Sequence, residues 1–361
     1  MDVARVVVIA LVAVIAVAVY RRTMAGPAAP RGSARRAQAL GLLPRSAQNT
    51  RQVAADPELE QARAAASRGD WEPAAQLLAR SRELGDWGRR SFHADVLGDH
   101  EAARPGSWLQ AWETAVGPDD PDAALIRARA TVSLAWHLRG AAWARETSRK
   151  QFQEFHNVLV QAPALCARAA QLAPGDPSPF VTEIWAALGL GASREQMRQI
   201  WKEVAARDPH HYGAHRAALQ YWCAKWRGSA GLADTFAQKA AATAPPGSLL
   251  TALPLVAWYE HHDTDAETDD FRAPSLVAMV DTALADADAA PPDHPDTASV
   301  RHLLAYFLTR QGRYDLALQQ FRLVDGHVDA LLPWRYFDNP AAVYCVWRDR
   351  AIQGVQGRFT S

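Results

Sequence analysis

The spacing of apolar and polar residues divides the chain into three stretches. Val3–Tyr20 is apolar apart from Arg5, and Val6–Tyr20 has no polar break. Eighteen helical residues rise roughly 27 Å, enough for the hydrocarbon core of a bilayer. The run therefore predicts a transmembrane anchor over residues 1–22. Arg5 sits near its end, where it can snorkel to the headgroups. A cleaved signal peptide is the rival reading, since Ala25-Gly26-Pro27-Ala28 is rich in small residues. Arg21 and Arg22, directly after the run, favour the uncleaved anchor. From Thr23 to Ala55 the chain is rich in Ala, Pro, Gly, Ser and Arg and holds no sustained apolar period. That predicts a flexible tether over residues 23–55. From Asp56 onward Ala, Leu, Arg, Glu and Gln dominate, and no stretch alternates in the manner of a strand. Residues 56–361 are predicted to be all-α.

Helix starts are marked by a capping residue before proline at Asp56-Pro57, Asp120-Pro121, Asp176-Pro177, Asp208-Pro209 and Asn339-Pro340. Proline suits the first turn because its missing N–H would be unpaired there. Ser193 with Gln196 reads as a capping box. Pro174, Pro209 and Pro245 each follow an Ala-rich helix, at intervals close to the ~34 residues of paired-helix repeats.

Specific residues carry a family resemblance. Gly69-Asp70-Trp71-Glu72-Pro73-Ala74 and Gln311-Gly312-Arg313-Tyr314-Asp315-Leu316-Ala317 resemble the turn into the second helix of a tetratricopeptide repeat. Phe321 lies four residues after Ala317, as that pattern wants, and Ala169–Pro174 resembles a repeat ending, with Phe180 at an aromatic position. The resemblance covers about a third of the region and implies a tetratricopeptide-like α-solenoid of about six to seven stacked helix pairs behind one N-terminal transmembrane helix. Residues 87 to 165 depart from the pattern and predict irregular helices. The segment His210–Ser229 also resembles a sequence recurring in actinobacterial membrane-anchored helical proteins of unknown function. That likeness brings no activity with it.

Charge refines the picture. Lys+Arg and Asp+Glu are 39 each, which argues against nucleic-acid binding. Arg21, Arg22, Arg31, Arg35, Arg36, Arg45 and Arg51 face no acid before Asp56, so the rest of the chain carries a formal charge of about −7. Arginines following the apolar run put the C-terminal part in the cytoplasm, as a single-pass membrane protein. The run has no small-xxx-small pattern, so no tight transmembrane dimer is expected. Cys166, Cys223 and Cys345 form no CxxC and suit a reduced compartment.

Candidate chemistry is sparse. His211 and His215 have the i,i+4 spacing of paired metal ligands, with His210 beside them and Cys223 further on. No third ligand is in register, so an aromatic–histidine packing cluster is the expected role. Residues 261–270 (HHDTDAETDD) alternate acids like a calcium loop, but Thr268 and Pro274 stand where glycine and glutamate belong. Thirteen tryptophans, including the pairs Trp136/Trp143, Trp222/Trp226 and Trp185/Trp201, read mainly as fillers between helices. No phosphate-loop, dinucleotide, nucleophile-elbow or kinase motif is present, and no cofactor or enzymatic activity is expected. The function expected from the sequence is a membrane-tethered scaffold that binds a peptide or partner protein. His211, His215, Trp222, Lys225, Trp226 and Arg227 are the candidate contact residues, and the acidic domain favours a basic partner. Two alternatives stand beside it: an enzyme or metal site built on His210, His211 and His215, and an extracytoplasmic glycan or peptide binder.

Overall fold

The computed structural model describes residues 32–51, 54–140, 148–328 and 331–358. The described residues are helical, with no strand beyond one isolated bridge between Asn49 and His327. In chain order the helices are α1 (Ser33–Ala39), α2 (Pro57–Ala66), α3 (Glu72–Glu83), α4 (Trp87–Leu97), α5 (Trp108–Val116), α6 (Pro121–Arg139), α7 (Arg149–Leu159), α8 (Ala162–Leu172) and α9 (Ser178–Leu190). They continue as α10 (Arg194–Arg207), α11 (Tyr212–Trp222), α12 (Ala230–Ala242), α13 (Leu253–His262), α14 (Thr268–Phe271), α15 (Pro274–Ala289), α16 (Thr297–Arg310), α17 (Tyr314–Leu323) and α18 (Pro340–Arg358). No helix among the described residues is long and apolar enough to cross a membrane. The apolar run Val3–Tyr20 lies outside the described residues.

The caps account for most helix starts. Asp56 accepts from Leu59 N at 3.0 Å, Asp120 from Ala123 N at 2.7 Å, and Asn339 from Ala342 N at 2.9 Å. Ser193 and Gln196 close the expected capping box, and Ser148 with Gln151 closes a second that the sequence reading missed. Asp208-Pro209 does not start a helix. Asp208 ends α10 in an extended conformation, and the cap of α11 passes to His211.

Packing divides the chain into two compact units. The single array expected over residues 56–361 is therefore not one unit. The first unit is Asp56–Ala257 with Ala290–Asp296. Here α2 packs on α3, and α4 packs on α3, α6, α9 and α11. The helices ending before Pro174, Pro209 and Pro245 are α8, α10 and α12. They pack through intervening partners: α9 touches both α8 and α10, and α11 touches both α9 and α12. Residues 87 to 165, expected to be irregular, include the 19-residue α6, which packs against α5, α7, α8 and α9.

The turn at Gly69 has φ +88, a left-handed conformation that favours glycine, and it delivers Ala74 buried against the α2–α3 interface. Gly189 on α9 faces α7 so closely that a Cβ there would overlap Phe155 and Leu159. One ion cluster is sealed inside. The guanidinium of Arg90 is fully buried; it donates to Asp176 and, at 2.8 Å, to Leu78 O. Its Nη2 also lies 2.7 Å from Asp122 Oδ1 as an ion contact outside hydrogen-bond geometry. Arg82 reaches the same Asp122 at 3.1 Å.

The second unit comprises the described residues up to Ala55, Trp258–Ala289 and the chain from Thr297 onward. Helices α16 and α17 form a tight pair around Gly312 (φ +73), and α18 packs on both. The sequence predicted a tether over residues 23–55. Residues 32–51 instead fold into this unit. Helix α1 packs on α18, with Ala37 and Leu42 buried beside Leu318 and Ile352. Leu43 N donates to Asp325 at 2.6 Å, Arg348 Nη1 donates to Leu43 O at 2.6 Å, and Gln48 accepts from Gly326 N at 2.9 Å. Low apolar periodicity concealed this because the segment buries only Ala37 and Leu42 in that cluster and is otherwise held through its backbone and Gln48, which leave no hydrophobic pattern.

Candidate interaction site

The six candidate residues occupy α11 and the loop behind it, and they divide into a buried histidine pair and an outer Trp/Arg/Lys group. His211 and His215 do not form an open pair of ligands. His211 precedes α11 as its cap, and its Nδ1 accepts the N–H of Ala214 at 3.2 Å. The neutral ring must then carry its proton on Nε2, which donates to Ser91 Oγ at 2.9 Å, and Ser91 donates onward to Ser178 at 2.9 Å. The Ser91–His211 spacing resembles a nucleophile–base pair, but the cap fixes the tautomer that cannot accept the serine proton. His215 Nδ1 donates to His211 O at 3.0 Å. Its ring is buried edge-on against Trp201 at 4.6 Å, and burial pushes its pKa down to about 4. Among the described residues no group of three His, Cys, Asp or Glu side chains is placed to hold a metal ion.

The acids at residues 261–270 do not converge either. Asp263 takes the Tyr306 hydroxyl at 2.6 Å, and Asp270 caps Glu267 N at 2.8 Å. The thiols of Cys166 and Cys345 are pushed up by burial, Cys345 to about 11.

Trp222 and Trp226 are not neighbours on one helix. Helix α11 ends at Trp222, and the chain folds back sharply. Arg227 N donates to Tyr221 O at 3.3 Å, Gly228 N to Cys223 O at 3.2 Å and Ser229 N to Trp222 O at 3.0 Å. A Cβ at residue 228 would overlap the Trp222 carbonyl, so the turn requires glycine.

The fold-back carries Trp226 to the end of α6. Its ring meets Trp136 edge-on at 5.7 Å, and Trp136 meets Phe155 of α7 at 5.1 Å. The Arg139 guanidinium stands 5.5 Å from the Trp136 ring and 5.9 Å from that of Trp226. Burial holds the Arg139 pKa below its ordinary value. Trp136, Arg139 and Trp226 are each half-buried, while Lys225 and Arg227 are exposed. The Tyr221 phenol is raised by burial and held back by the charges of Arg227, Arg194 and Arg198. The surface beside the indoles is thus locally basic within the acidic stretch 56–361. Trp143 lies outside the described residues. Arg139 escaped the sequence reading because nothing in α6 marks its last turn as the partner of a loop 87 residues later.

No family model, no curated protein and no solved structure matches this chain.

Proposed function

We propose that the chain is a membrane-tethered interaction scaffold, a tetratricopeptide-like solenoid that docks an acidic segment of a partner protein at Trp136, Arg139 and Trp226. The observation that carries this reading is the half-buried Trp–Trp–Arg cluster with Arg194, Arg227 and Lys225 around it. Tryptophan and arginine dominate the residues that carry binding energy at protein interfaces, because a large rigid surface and a stacked guanidinium lose little entropy when covered. The local charge reverses the preference expected from the acidic residues 56–361, since a partner meets the patch and not the domain's summed charge. The packing of α9 on α8, α10 and α11, and of α11 on α12, supports the solenoid reading. The apolar run Val3–Tyr20 supports the tether, and the arginines after it support a cytoplasmic scaffold.

The test is a titration of the full chain with a Glu-rich peptide carrying one Phe, and with its Lys-rich counterpart. The acidic peptide should bind in a salt-sensitive manner, and Trp226→Ala should weaken it roughly tenfold. Preference for the basic peptide, or indifference to Trp226→Ala, would refute the proposal.

A further inference from the structure

In the second unit, α16 and α18 pack together and place two guanidiniums on one indole. Tyr306 and Arg310 lie one turn apart on α16, and Trp347 and Arg350 lie three residues apart on α18, so each pair shares a helix face. Arg310 Cζ stands 3.7 Å from the Phe271 ring centroid and 5.7 Å from that of Trp347. Arg350 Cζ stands 4.8 Å from the same Trp347 ring. Gly354, one turn beyond Arg350, lets the Tyr314 ring lie directly on α18, because any Cβ there would overlap that ring.

No carboxylate makes an ion pair with the guanidiniums of this cluster among the described residues. Arg310 donates to the Tyr306 hydroxyl at 3.0 Å and to Ala266 O at 3.4 Å, both neutral acceptors. Arg350 makes no hydrogen bond or ion pair with any described residue. Trp347 Nε1 is buried without an acceptor among the described residues. Asp263 is the acid that Arg310 feels, but its carboxylate takes the Tyr306 hydroxyl. Burial first, and then the positive charge of Arg310, push the Arg350 pKa down. Elsewhere in the unit Arg301, Arg313 and Arg348 each meet a carboxylate, from Asp288, Asp281 and Asp349. Two like charges held half-buried on one ring are costly unless something neutralises them.

We propose that Arg310, Arg350 and the indole N–H of Trp347 form a binding site for a phosphoryl group. Two guanidiniums without an ion-pair partner present several donors to the three acceptor oxygens of a phosphoryl group, more than the two oxygens of a carboxylate can take. The aromatic faces of Phe271 and Trp347 hold the guanidiniums in place, so little order remains to be imposed on binding. The site uses no residue of the Trp136–Trp226 patch and stands without it.

The full chain is titrated calorimetrically with inorganic phosphate, with O-phosphoserine and with acetate at matched ionic strength. Phosphate or phosphoserine should bind and acetate should not. Equal affinity for the first two identifies a free anion as the ligand, and tighter phosphoserine binding identifies a phosphorylated side chain; both uphold the site. Arg350→Gln should weaken binding at least about tenfold. Arg350 has no hydrogen bond to lose, so this variant should melt like the parent. Trp347→Phe, which keeps a ring and removes the donor, should weaken binding several-fold. Arg350→Gln should leave the acidic-peptide titration unchanged, which separates this site from the scaffold reading. Acetate binding as well as phosphate, unchanged phosphate affinity in Arg350→Gln, or no phosphate binding by the parent would each overturn the proposal.

Discussion

His302 of α16 illustrates what single side chains do here. Its Nδ1 accepts the indole N–H of Trp334 at 3.1 Å, and its Nε2 donates to His327 O at 2.9 Å. A second proton would have to sit on Nδ1, facing a group that can only donate. Burial already pushes the pKa down to about 4, as it does for His215 in the other unit. Unfolded, both rings take a proton near their ordinary value of about 6.5. Between about 6.5 and about 4 the unfolded chain therefore binds more protons. This contribution is complete above that window and lost as the pH falls through it, on the order of 3 kcal/mol for each ring. Denaturant melts at pH 7.5 and 4.5 should show the loss, and His302→Gln should remove its share of the slope. Equal stability at the two pH values would count against the argument. Arg90 is the converse case, a buried charge with its partners in place. Arg90→Met strands Asp176, leaves Asp122 with Arg82 alone, and should destabilise the first unit by about 3–5 kcal/mol, read from the shift of its melting transition. At this scale the sequence reading expected an aromatic–histidine packing cluster at His211 and His215, and His215 does pack on Trp201, but the partners of the ring nitrogens were not legible. His211 and His215 have ligand spacing, but a cap and a backbone carbonyl take their nitrogens, and neither partner leaves a trace in the spacing of histidines.

Among the elements, those with a local cause were legible. Asp56, Asp120, Asn339 and the Ser193–Gln196 box mark helix starts because a cap is settled within three residues of its helix. The turns at Gly69 and Gly312 were legible for the same reason, since only glycine adopts their left-handed backbone without strain. Asp208-Pro209 misled because the motif is shared by helix starts and by tight turns, and here His211 supplies the cap. The fold-back after α11 had no local signature apart from Gly228. Gly228→Ala should shift Trp226 off Trp136, seen as a change in indole fluorescence, and cost roughly 1–3 kcal/mol. An unchanged emission spectrum would mean the loop relaxes without moving the ring.

For the molecule as a whole, helical class and paired packing could be read from composition and period, because both repeat along the chain. The division into two units could not. It depends on pairings between segments hundreds of residues apart, such as Leu43 with Asp325 and Arg348. The arginine cluster of the second unit was equally hidden: Phe271, Arg310 and Trp347 come from three separate helices, and no spacing rule joins them.

The segment 32–51 sets a condition on how the second unit is made. During synthesis it leaves the ribosome roughly 300 residues before the helix it packs on, α18. Through all of that interval its backbone donors and acceptors must be satisfied by water or by another protein. A fragment beginning at Asp56, the natural place to cut if the preceding stretch were only a leash, would expose Leu318, Ile352 and the carboxylate of Asp325. Such a truncation should aggregate or unfold in its C-terminal half, whereas a fragment beginning before Gly32 should not.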